Sequence, residues 1–79
     1  MTSTDPDVIS NLAENLRRAI ERNGLTQELL AGESGVPQAT ISRLLNRKTE
    51  PTISTVYRLA TALETSIDRL VATPPLKNC

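Results

Sequence analysis

The chain has 79 residues, equal numbers of basic and acidic side chains (9 each), 38% hydrophobic residues, and no Phe, Trp or His. This balance excludes a wholly disordered chain, and no apolar run reaches the roughly 18 residues needed to span a bilayer. A zinc centre is excluded as well, because His is absent and Cys79 stands alone at the end. At this length only one small core is available, so self-association is expected to add stability. With one Tyr as the sole aromatic residue, that core must be built from Leu, Ile, Val and Ala, which suits packed helices. Residues 1–7 are too polar for a signal peptide, and a cytoplasmic protein is expected.

Taken in order, the first predicted helix starts at Asp5-Pro6, with Asp5 as cap and Pro6 at the first helical position. Val8, Ile9, Leu12, Leu16, Ala19 and Ile20 then recur at helical spacing, and Asn11, Glu14, Arg17, Arg18, Glu21 and Arg22 fill the other face. Asn23-Gly24 ends it, Gly24 being suited to a left-handed terminus. Thr26 caps a second helix of about two turns, stopped by Gly35. Val36-Pro37 restarts the chain into a third, from Gln38 to Leu45. Two short helices joined by three or four residues have their mutual angle fixed, and this is the geometry of a helix-turn-helix, placed at residues 26–46.

A polar loop follows, and Pro51-Thr52 opens a fourth helix with Ile53, Val56, Leu59, Ala60 and Leu63 expected inward. Ser66 caps a short fifth helix carrying Ile67, Leu70 and Val71, which Pro74-Pro75 ends. One domain is expected over residues 1–72, with a flexible tail over 73–79. The charge is divided along the chain: residues 1–35 hold three arginines against six acids, and residues 36–79 hold six bases against three acids. One face could therefore attract phosphate although the net charge is zero.

From Leu12 to Val71 the sequence resembles the helix-turn-helix family of lambdoid phage Cro proteins and repressors. The residues that carry the likeness are Gly24-Leu25-Thr26-Gln27, Leu30-Ala31, Gly35-Val36, Thr40-Ile41-Ser42-Arg43-Leu44, Pro51, and Leu59-Ala60 with Ala62-Leu63 before Ser66-Ile67-Asp68. The resemblance implies an all-α, five-helix, lambda-repressor-like domain. Where the family commonly pairs a buried Arg with a Glu, this chain has Ile20 and Leu45, which reads as an apolar replacement of the ion pair. Gly32 weakens the second helix by about 1 kcal/mol relative to Ala, and Ser34 stands where the family prefers an apolar residue. Arg47 and Glu64 occupy frequent glycine positions, and Asn46 is expected to take the left-handed turn in place of Arg47.

By the same resemblance, the third helix enters the major groove of double-stranded DNA and reads base edges. Gln38 is expected on adenine, Arg43 on guanine and Ala39 on a thymine methyl, with Ser42 as a further base contact. Gln27, Thr40, Arg47, Lys48 and Thr49 are expected on phosphates. Tyr57 and Arg58, early in the fourth helix, are weighed as contacts to the DNA backbone, with a surface or core-covering place as the other reading for Tyr57, and are left out of the proposed set. A two-fold operator implies a homodimer, expected through Ile67, Leu70 and Val71, and repression is the expected outcome. A different reading is an antitoxin-type module that also binds a protein partner such as a toxin. No nucleophile with its base, carboxylate dyad or phosphate-binding glycine loop is apparent, so neither enzymatic activity nor a cofactor is expected.

Overall fold

The computed structural model describes residues 6–74. Five helices occupy them in the order α1 (Pro6–Arg22), α2 (Gln27–Ser34), α3 (Gln38–Leu45), α4 (Ile53–Ala62) and α5 (Ile67–Val71). The proposed Asp5 cap and residues 75–79 of the expected tail lie outside the described residues.

Helix starts follow from short hydroxyl side chains. Thr26 Oγ1 accepts the Leu29 N–H, Thr52 Oγ1 the Thr55 N–H and Ser66 Oγ the Arg69 N–H, each at 3.1–3.2 Å. Each bond satisfies one amide that the helix itself cannot pair, and replacing such a cap by Ala typically costs about 1 kcal/mol. Helix α3 differs, for its cap residue Pro37 offers no side-chain acceptor.

Helix ends use left-handed residues. Gly24 (φ 66°) ends α1, with the Leu25 N–H donating to Ile20 O and the Gly24 N–H to Glu21 O. This paired arrangement repeats after α3, where Lys48 N–H reaches Arg43 O at 2.8 Å and Arg47 N–H reaches Leu44 O at 3.1 Å. Arg47 itself is therefore left-handed, at φ 58°. That corrects the expectation for Asn46, which stays at φ −97°. Asn46 instead turns its side-chain amide back onto Ser42 O at 2.9 Å. A third such end follows α4, centred on Glu64 at φ 58°.

The core is aliphatic. Leu12, Leu16, Leu30, Ile41, Leu44 and Leu59 are fully enclosed, and each contributes roughly 1.5–3 kcal/mol through removal of its side chain from water. Ala13, absent from the expected inward set, is buried beside them. Helix α1 packs on α3 and α5, α2 on α3 and α4, and α4 on α5. Ile20 and Leu45 both join this core, as expected for an apolar replacement of an ion pair. Ile53 does not: it is 72% exposed, a correction to its expected inward placement. It stands at the first position of α4, one turn before Val56, which is the first α4 residue to be buried.

The surface of α1 is held by ion pairs of Glu14 with Arg17 and Arg18. The hydrogen bond from Arg18, followed by the nearby charge of Arg17, holds the Glu14 carboxyl below the ordinary carboxylate range, with partial burial opposing them.

Candidate nucleic-acid interface

The motif is assembled by a turn of three residues. Gly35, at φ 78°, ends α2 and donates its N–H to Ala31 O at 3.0 Å. Ser34 Oγ accepts the Val36 N–H at 3.1 Å, so the polar side chain at this position serves the turn. Val36 then drops into the core and Pro37 carries the chain into α3.

Helix α3 is two-sided. Ile41 and Leu44 are 0% and 1% exposed and anchor it from behind. Gln38, Ala39 and Arg43 are exposed on the opposite side, where no packing of this chain calls for them, and Ser42 and Thr40 are half-buried at its borders. The four proposed base-reading residues thus lie on one short helix, within six positions. Of the proposed phosphate contacts, Gln27 opens α2 and is half-buried; Lys48 is exposed and Thr49 half-buried in the loop after α3. Arg47 is exposed, but its Nε donates to Ser10 Oγ at 3.2 Å, which ties the loop to α1.

Charge is arranged unevenly around this surface. Among the described residues the ion pairs all lie on α1, so Arg43, Arg47, Lys48 and Arg58 keep unpaired positive charge, as do Arg22 and Arg69 away from this surface. Arg58 is well placed, its guanidinium being 3.6 Å from where a Cβ on Gly35 would stand, directly over the turn of the motif. Sequence position alone offers Arg58 only as a candidate for the DNA backbone; its place over the turn comes from the approach of α4, a tertiary contact.

The three residues expected at the dimer contact divide. Leu70 is 2% exposed and belongs to the monomer core, a correction with a plain cause: it is the residue through which α5 packs inward. Ile67 and Val71 are half-buried at the surface. The end of α5 is further clasped by α1. Asn15 Nδ2 donates to the carbonyls of Leu70 at 2.8 Å and Ala72 at 2.7 Å, and Asn11 Nδ2 to that of Val71 at 3.3 Å. The signal in the sequence was an amide pair at i and i+4 bordering the apolar stripe.

An exposed polar helix face, backed by a buried apolar one and flanked by unpaired cations, defines a DNA-binding helix-turn-helix domain. The helix-turn-helix family model matches residues 16–70. The control protein C.SmaI of Serratia marcescens is 39% identical over 72 residues, covering 91% of this chain and 86% of that protein. Antitoxin HipB of Escherichia coli is 34% identical over 58 residues, 73% of this chain and 66% of its own length. Among solved structures, a hypothetical transcription factor from Neisseria, NHTF, superposes with a TM-score of 0.82 at 25% identity, over 94% of this chain and 86% of that one. The restriction-modification controller C.AhdI of Aeromonas hydrophila gives 0.75 at 26% identity, over 78% and 94%. The chain belongs to the helix-turn-helix family of the Cro/CI type, the DNA-binding transcriptional regulators.

Proposed function

We propose that this chain is a cytoplasmic repressor that binds a palindromic operator as a homodimer, with α3 in the major groove. The observation that carries it is the two-sidedness of α3: Gln38, Ala39 and Arg43 point away from a core that Ile41 and Leu44 complete. A glutamine amide matches the N6/N7 edge of adenine and a guanidinium the O6/N7 edge of guanine, while Ala39 suits a thymine methyl and Ser42 a hydroxyl contact beside them. Gln27, Thr40, Lys48, Thr49 and the free N–H groups of Arg47 supply phosphate contacts that set the register.

Selection of bound sequences from random duplex DNA tests the reading. A motif with two-fold symmetry, its half-sites one helical turn apart, is the expected result. A pool that shows no enriched motif at low salt overturns it.

The 34% identity to Antitoxin HipB favours a second reading, a regulator that also binds a partner protein. Co-purification of a second protein in fixed stoichiometry from the native cell would support it. A chain recovered alone, with the selected motif, leaves the repressor reading in place.

A further inference from the structure

The loop after α3 carries two neighbouring cations that the fold treats differently. Lys48 is exposed and makes no ion pair among the described residues. Arg47 is held at both ends. Its backbone is fixed at φ 58° by the two hydrogen bonds that close α3, from Arg47 N–H to Leu44 O and from Lys48 N–H to Arg43 O. Its guanidinium is fixed by Ser10, whose Oγ accepts from Nε at 3.2 Å. Ser10 is half-buried on α1, 37 positions away in sequence, and the contact is possible because α1 packs on α3. Core packing does not call for it: both side chains lie outside the hydrophobic cluster, and glycine would adopt the left-handed backbone at 47 more easily. Which nitrogen is engaged matters. A guanidinium has five N–H groups in a rigid fork, one on Nε and four on the two terminal nitrogens. Engaging Nε alone leaves the terminal edge, which can take two oxygens of one phosphate.

We propose that Ser10 is a positioning residue for DNA binding, which orients Arg47 so that its terminal N–H groups are set for a backbone phosphate before the DNA arrives. The inference rests on the assignment of Arg47 to a phosphate and adds to it a residue of α1 that acts through Arg47. A long side chain has many rotamers, and immobilising them opposes association. An arginine already tied at Nε has lost part of that freedom on folding, so less is lost when the phosphate is bound. The chemistry of the tether fits this use. A carboxylate at position 10 would hold the guanidinium but neutralise it, whereas a hydroxyl orients it and leaves its full charge to the phosphate.

Titration of the selected operator by the full chain at several salt concentrations tests the tether, with Ser10→Ala, Ser10→Thr, Arg47→Ala and the Ser10→Ala/Arg47→Ala double variant. Ser10→Ala should raise Kd about 2- to 10-fold, on the operator and on unrelated duplexes alike. The slope of log K against log salt should stay unchanged in that variant, since no phosphate contact is lost, whereas Arg47→Ala should reduce it by about 1. Adding Ser10→Ala to Arg47→Ala should change nothing further, and Ser10→Thr, which keeps the hydroxyl, should bind like wild type. Circular dichroism of Ser10→Ala should show a melting temperature close to that of wild type, the better helix propensity of Ala offsetting the lost hydrogen bond. Wild-type binding by Ser10→Ala beside weak binding by Arg47→Ala overturns the positioning role and leaves the phosphate assignment standing. Equal losses from Ser10→Ala with and without Arg47 also overturn it, because Ser10 then acts by another route. Wild-type affinity and slope in Arg47→Ala overturn both.

Discussion

Two surfaces of this domain are left over once the core is complete, and they differ in kind. On α3 the surplus is polar and cationic, in Gln38 and Arg43; on α4 and α5 it is apolar, in Ile53, Tyr57 and Ile67. A polar surplus suits a partner that is itself polar and charged, and an apolar one suits a partner that removes it from water. The same 69 described residues thus separate two kinds of recognition onto different helices, with one core behind both.

The largest expected effect tests that shared core. Ile41→Ala removes the anchor of α3 and should lower stability by about 2–5 kcal/mol, read from thermal or urea denaturation by circular dichroism. A loss below 1 kcal/mol would show that α3 is not held from behind, and the contrast between its two sides would fail. Within the polar surface, Arg43→Ala should relax preference at one base position per half-site, by about 1–3 kcal/mol in competition binding. Lys48→Ala should instead weaken all sequences alike and reduce the slope of log K against log salt by about 1. Equal behaviour of the two variants would remove the distinction between base reader and phosphate clamp.

A smaller effect separates turns that fold alike and serve differently. Glu64 and Arg47 both hold left-handed backbones that glycine adopts more easily. Glu64→Gly should stabilise the domain by about 0.5–1 kcal/mol with DNA affinity unchanged. Arg47→Gly should stabilise it less, because the hydrogen bond to Ser10 is lost, while weakening binding. The two measurements are a melting curve and a titration of the same operator.

Much of this was legible in the sequence. Thr26, Thr52 and Ser66 announced helix starts, and Gly24 and Gly35 announced ends, because caps and left-handed turns act over a few residues. The face of α3 was legible because its apolar spacing left Gln38, Ala39 and Arg43 without a packing role. Ile53 was not, since helical periodicity identifies a stripe but not how far the core extends beneath its end. Choosing Arg47 over Asn46 depended on a one-residue register of the closing hydrogen bonds, which residue preferences do not settle. The partners of Arg58 and Asn15 came only with the tertiary fold, for a common reason: each acts on a segment distant in sequence, Arg58 over Gly35 and Asn15 on the end of α5.

The clasp between α1 and α5 has a consequence for how the molecule is made. Its hydrogen bonds join residues 54 to 60 positions apart, so α1 waits for the later-made α5 before its packing is complete. Such distant pairing ties the whole domain into one cooperative transition, without an early half that stands alone. Nascent chains stalled before Leu70 should accordingly remain open to proteases, and protection should arrive in a single step once that residue is free to close the ring.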